Sequence, residues 1–226
     1  MPNFDIVKNV DVKRTFRTEA IKGMFDLNVS KIEERFVGNI DLTNDWNVGL
    51  IYGASGTGKS TIAKQLFPDF YFSDFEYSDK SVIDEMPSHC DLKIITKTFA
   101  SVGFASIPSW LKPYSVLSNG EKMRVDLARC LLDKKDFIVF DEFTSVVDRQ
   151  VAKFASHCVQ KVVRKANKKF IAVACHSDII EWLEPDWVFC TDNMTFEFSK
   201  KKDQKLKLKF ANVQENFGRI LKSITI

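Results

Sequence analysis

Gly53-Ala54-Ser55-Gly56-Thr57-Gly58-Lys59-Ser60 follows the apolar run Val48-Gly49-Leu50-Ile51-Tyr52 and leads into a helical pattern, Ser60 to Phe67, that Pro68 stops. The octapeptide satisfies GxxxxGK[ST] in full, and its setting reads as a strand, a glycine-rich loop and a helix. Glycines let the backbone close around a phosphate chain, so that successive N–H groups point inward. The helix opening near Ser60 adds the positive end of its dipole. Lys59 has the reach for the outer phosphates, and the Ser60 hydroxyl is a ligand for Mg²⁺. With Thr61 on the first helical turn, the whole stretch Gly53 to Thr61 is a candidate nucleotide cradle.

Four further elements lie downstream in a fixed order. Leu117-Ser118-Asn119-Gly120-Glu121 opens a helical pattern that runs to Leu132, with Met123, Leu127, Ala128, Leu131 and Leu132 on one face. Ser118 with Glu121 three residues on is also the pattern of a capping box, so these residues by themselves read as a helix start. Phe137-Ile138-Val139-Phe140-Asp141-Glu142 is an apolar run ending in two carboxylates. A strand buried on both faces has that composition, and ligands bind beyond the carboxyl ends of such strands. There Asp141 suits the Mg²⁺ shell and Glu142 suits polarising an attacking water. Phe143-Thr144-Ser145-Val146-Val147-Asp148 follows, and Phe170-Ile171-Ala172-Val173-Ala174-Cys175-His176 is a second buried strand ending in histidine.

Taken in this order, the motifs resemble those of ATP-binding-cassette ATPases, over roughly residues 48–190. The family signature is Leu-Ser-Gly-Gly-Gln; this chain has Asn119 for the first Gly and Glu121 for Gln. Asn tolerates left-handed backbone and Glu keeps the length of Gln, so both are mild variants. The resemblance implies that Ser118, Asn119, Gly120 and Glu121 form the signature offered to a second subunit, with Ser118 and its helix N-terminus binding the γ-phosphate held there. It implies that Asp148, in the D-loop, couples the two sites, and that His176 is the switch histidine at the γ-phosphate. It also implies an ATP-hydrolysing homodimer closing head-to-tail over two Mg-ATP molecules, with Lys59, Glu142 and His176 as its catalytic set. The implied fold is α/β: a P-loop NTPase with a mixed core sheet, an N-terminal antiparallel β-subdomain and a short helical subdomain. Residues 1–68 and 133–226 would form the ATP-binding core of a single domain, and about 69–132 the helical and signature part.

One departure concerns glutamine. None occurs between Gln65 and Gln150, so the family's Q-loop glutamine is absent or replaced. The interval from Lys59 to Ser118 is also short for a transporter cassette. Gly23-Met24-Phe25-Asp26, Trp46 to Leu50, Pro108 to Pro113 and Trp182 to Trp187 resemble instead the soluble, stand-alone cassettes of phages and bacteria. The ATP-binding subunit of a membrane transporter is the alternative. Phe16, Phe25 and Phe36 are candidates for the aromatic that stacks on adenine in the family, with core packing as the alternative role for each.

The rest of the chain bounds this reading. The 226 residues suit one domain, and 45% hydrophobic with 28% charged residues is an ordinary globular balance. The formal net charge is +3. From Thr195 onward eight Lys or Arg face three Asp or Glu, so the basic character is concentrated there. Thr195 to Phe198 and Lys205 to Phe210 read as a hairpin around Lys200 to Gln204. Its alternating lysines would suit phosphate contacts with nucleic acid or guard a sheet edge; an unidentified protein partner is the other option. Five scattered cysteines with no CxxC pair, no signal-like start and no long apolar run point to the cytoplasm and to no membrane span. No histidine or cysteine pattern suggests zinc, and His89 and His157 read as structural or surface residues. Residues 4–18 and 31–42 read as antiparallel strands joined around Asn28, residues 69–116 as a small, partly helical insertion, and 150–167 as a helix with a basic face.

Overall fold

A computed structural model describes residues 3–72 and 75–199. The apolar run before the glycine loop forms β3 (Val48–Tyr52) at the heart of a six-stranded sheet. Its neighbours are β6 (Lys169–Ala174) and β7 (Trp187–Cys190), both parallel to it. Beyond β6 lie β5 (Phe137–Phe140) and β4 (Tyr71–Phe72), also parallel. Beyond β7 lies β8 (Thr195–Phe198), antiparallel. The sheet is therefore mixed, as the resemblance implies. β1 (Asn3–Asp11) and β2 (Lys31–Asn39) form a separate antiparallel pair.

Alternation along the buried strands sends side chains to two cores. Ile51, Val139, Ile171 and Val173 meet Ile62, Ala63 and Phe67 on the face covered by α2 (Lys59–Leu66). Leu50, Ile138, Phe140 and Phe170 face the opposite way. There they meet α3 (Leu92–Ser101), α5 (Asn119–Leu132) and α6 (Arg149–Lys165). Phe4 and Phe36 seat the β1–β2 pair on the first core, where Phe4 meets Phe189 edge-on at 5.8 Å. The start of β3 is pinned by buried Asp186, whose carboxylate accepts from Asn47 N–H (2.8 Å), Val48 N–H (3.0 Å) and the Arg164 guanidinium (2.9 Å).

Several boundaries differ from the sequence reading. The first strand stops at Asp11, and Phe16–Met24 is a helix, α1. Thr15 caps it, accepting from Thr18 N–H while the Thr18 hydroxyl answers the Thr15 N–H. That local capping outweighs the β-branched composition that suggested a strand. None of the α1 side chains is buried. The 69–116 stretch contributes β4 to the sheet as well as α3, α4 (Ile107–Trp110) and a 3₁₀ turn at Tyr114–Val116. Thr195–Phe198 pairs with Trp187–Cys190, closing through the turn at residues 191–194. The strand expected at Lys205 to Phe210 and the loop Lys200 to Gln204 lie outside the described residues. Among the described residues no helix is long and apolar enough to cross a membrane.

Candidate functional site

The sheet order sets the site. β6 lies between β3 and β5, so the loop after β3 and the carboxylates after β5 flank the end of β6. Ser55, Gly56, Gly58, Lys59, Ser60, Thr61, Asp141 and Glu142 all line one cavity of about 210 Å³. Gly53, Ala54 and Thr57 belong to the loop but not to the cavity wall. Lys8, Glu34 and Phe36 from the β1–β2 pair and Val173 and Cys175 from the β6 side complete the wall.

The loop's glycines are required for two different reasons. Gly56 sits at φ +84° with open space around it, so only its backbone conformation demands glycine. Gly58 sits at φ +86°, and a Cβ there would stand 2.4 Å from the Phe36 ring. The Lys59 ammonium, largely buried, donates to the Ala54 carbonyl at 2.6 Å across the loop. Thr191 and Asp192, just beyond β7, brace the same loop. Asp192 accepts from Ala54 N–H at 2.9 Å, and the hydroxyls of Thr191 and Thr57 lie 2.5 Å apart. No motif marks these two residues in the sequence, because the strand that carries them to the loop, β7, has only four residues and leaves little periodicity to read.

Asp141 is held at both oxygens: Oδ1 accepts from Glu142 N–H at 2.8 Å, and Oδ2 accepts from the Tyr71 hydroxyl. Burial, and then the bond to Asp141, push the Tyr71 phenol well above its ordinary value, so it remains a neutral donor at physiological pH. Glu142 at φ +50° and Thr144 at φ +63° are non-glycine residues in the left-handed region. Each costs on the order of 1 kcal/mol. The bend turns Glu142 toward both this cavity and a second cleft of about 420 Å³, which Tyr114, Asn119, Lys122 and Asp126 also line. Fully buried Phe143 anchors the bend, its N–H donating to Val173 C=O at 2.8 Å.

The remaining candidates sit apart from the loop. Ser118 caps α5 in a full capping box with Glu121, as its spacing suggested. Glu121 is held below its usual range by hydrogen bonds from the Ser109 hydroxyl and the Ser118 N–H. Ser118, Gly120 and Glu121 do not line the Gly53–Ser60 cavity of their own chain, and Asn119 lines only the second cleft. Asp148 caps α6, accepting from Gln150 N–H at 2.9 Å and Val151 N–H at 3.0 Å. His176 is exposed, and its neighbour Cys175 lines the cavity instead. Of the three candidate stacking aromatics, only Phe36 (8% exposed) reaches the loop; Phe16 and Phe25 are 90% and 68% exposed.

The residues fit a nucleotide with its cation. Left-handed glycines shape a loop that admits no Cβ at Gly58, and the Ser60 hydroxyl and Asp141 carboxylate are hard oxygen donors in one cavity. Among the described residues no cluster of three His, Cys, Asp or Glu side chains forms a self-sufficient metal cage.

No family model matches the chain. Heavy metal tolerance factor 1 of Caenorhabditis elegans is 25% identical over 174 residues, covering 59% of this chain and 22% of that protein. The energy-coupling factor transporter ATP-binding protein EcfA of Aster yellows witches'-broom phytoplasma is 25% identical over 175 residues, covering 61% of this chain and 63% of that protein. The chain thus spans less than two thirds of either relative. A dimeric bacterial ABC transporter cassette superposes with a TM-score of 0.55 at 14% identity, over 70% of this chain and 87% of that one. The same cassette in a post-hydrolysis state with ADP and Pi gives 0.54. The fold is that of the ATP-binding cassette.

Proposed function

We propose that this chain, an ATP-binding-cassette domain, binds Mg-ATP and hydrolyses it to ADP and phosphate within a head-to-tail homodimer. The observation that carries the reading is the single cavity joining Gly56, Gly58, Lys59 and Ser60 to Asp141 and Glu142. Loop N–H groups and Lys59 would bind the phosphate chain. Ser60 and Asp141 would hold Mg²⁺, which when bound supplies charge neutralisation at the phosphate oxygens. Glu142 would orient water and accept its proton. Ser118, at a helix start away from its own chain's loop, is free to complete a second copy's site through the α5 N-terminus. Dimeric cassettes of the same fold support this assembly.

The test is ATP turnover by the full chain, with Glu142→Gln trapping an ATP-bound dimer on size exclusion. A Glu142→Gln protein that hydrolyses ATP like wild type would refute the assignment of the base.

For the load, we favour a soluble role on nucleic acid or a protein partner. This rests on the lysine-rich sequence from Lys200 to Lys209. A salt-dependent shift of DNA in a gel, with and without ATP, tests it. The relatives' names favour a second reading, in which the chain serves a separate membrane subunit; co-purification with a membrane protein would select it.

A further inference from the structure

We infer that Tyr71 is a positioning residue of the cation site, holding the Asp141 carboxylate toward Ser60. The inference rests on the ATP reading above and adds to it a residue outside the loop and the acidic pair.

The register makes the contact unavoidable. In the parallel pair β4–β5, Tyr71 lies opposite Val139, so the two share a face of the sheet. Asp141, two residues beyond Val139, returns to that face. It is the face covered by α2, whose first turn carries Ser60. Tyr71 therefore extends along the sheet surface, beneath α2, until its hydroxyl donates to Asp141 Oδ2. Ser60 lines the same cavity as the Asp141 that Tyr71 holds. Lys64, one turn after Ser60 on α2, places its ammonium 5.4 Å from the ring centroid. One aromatic side chain thus touches α2 and β5 together.

The consequence for Asp141 is orientational. With Oδ1 fixed by Glu142 N–H and Oδ2 by Tyr71, the carboxylate cannot rotate about its last bond. Each carboxylate oxygen keeps a second lone-pair site, and Asp141 faces the cavity it shares with Ser60. Both oxygen donors are therefore aimed before a cation arrives, which lowers the reorganisation that binding requires.

Tyr71→Phe keeps the ring and removes the hydroxyl. Mn²⁺ binding, read by electron paramagnetic resonance on the full chain with a non-hydrolysable ATP analogue, should weaken about tenfold, as expected for losing a hydrogen bond to a charged group. Binding of a fluorescent ATP analogue in EDTA should change less than about twofold, because the loop contacts are untouched. Lys64→Met, which leaves the hydroxyl in place, should keep wild-type Mn²⁺ affinity. Excess Mg²⁺ should restore turnover in Tyr71→Phe. Equal Mn²⁺ affinity in wild type and Tyr71→Phe overturns the inference while leaving the ATP reading intact. Parallel loss of metal-free nucleotide binding, or a Tyr71→Phe protein that melts below assay temperature, overturns it in favour of a purely structural role. A wild-type chain that binds neither nucleotide nor Mn²⁺ overturns the ATP reading itself.

Discussion

Gly58→Ala and Gly56→Ala form a matched pair that separates backbone strain from packing at the loop. Both glycines sit near φ +85°, so alanine at either position should cost about 1–2 kcal/mol for the left-handed backbone. At Gly56 nothing among the described residues lies within 4 Å of the new methyl, and the cost ends there. At Gly58 the methyl would stand 2.4 Å from the Phe36 ring, which is 8% exposed and held among Phe4, Ile40 and Phe189. The ring cannot simply swing into solvent, so overpacking should add about 1–3 kcal/mol. Gly58→Ala should therefore destabilise by about 2–5 kcal/mol in total, measured by urea unfolding at constant m-value. The control is a Phe36→Ala background, itself about 3 kcal/mol less stable from the lost ring. There the Gly58→Ala penalty should fall to that of Gly56→Ala. If Gly58→Ala is no costlier than Gly56→Ala, or its penalty persists without Phe36, the account of Phe36 as the wall behind the loop is wrong.

Asp186→Ala leaves Arg164 half-buried without its carboxylate and strips the Asn47 and Val48 N–H groups of their acceptor; it should cost about 3 kcal/mol in urea unfolding. Burial raises the Asp186 pKa, but the two N–H bonds and Arg164 more than offset it, and the folded value lies below the unfolded one. Its contribution is therefore fully present above the unfolded carboxylate value of about 4 and is lost as pH falls through the folded value. The acid limb of the stability curve should flatten in Asp186→Asn. Glu142→Gln should reduce ATP turnover by about 10²–10⁴-fold with nucleotide affinity retained, as read by stopped-flow hydrolysis and equilibrium binding. Thr191→Val removes a hydroxyl that meets both Thr57 and the Tyr52 carbonyl; it should weaken nucleotide binding by severalfold, roughly the value of one neutral hydrogen bond, in a fluorescence titration.

Much of this architecture is legible in the sequence because the decisive segments are strongly constrained. Val48–Tyr52, Phe137–Phe140 and Phe170–Ala174 are apolar on both faces, and only a sheet covered on both sides hides such strands. The octapeptide from Gly53 carries its own geometry, and the Ser118–Glu121 spacing predicted a capping box that the structure contains. What escaped the sequence is what depends on register or on distant partners. Tyr71 sits in a two-residue strand too short to leave a pattern, and its meaning comes from pairing with Val139. Thr191 and Asp192 act on a loop about 135 residues earlier in the chain. α1 was hidden because Thr and Ile suggest strand, whereas the Thr15–Thr18 cap decides for helix. Cys175 lines the cavity although no motif marks it, because the turn after β6 aims it there.

The central claim, that each nucleotide is enclosed by two copies of the chain, is tested most directly by mixing two inactive variants. Lys59→Ala disables the loop, and Ser118→Arg disables the surface offered to the other copy. If sites form between copies, a mixed dimer pairs the intact loop of one subunit with the intact Ser118 of the other. ATP turnover should then recover to about a quarter of wild type at equal mixing, from half the dimers each carrying one of two sites. A mixture as inactive as its components, under conditions where mixed dimers are demonstrated, would contradict the account.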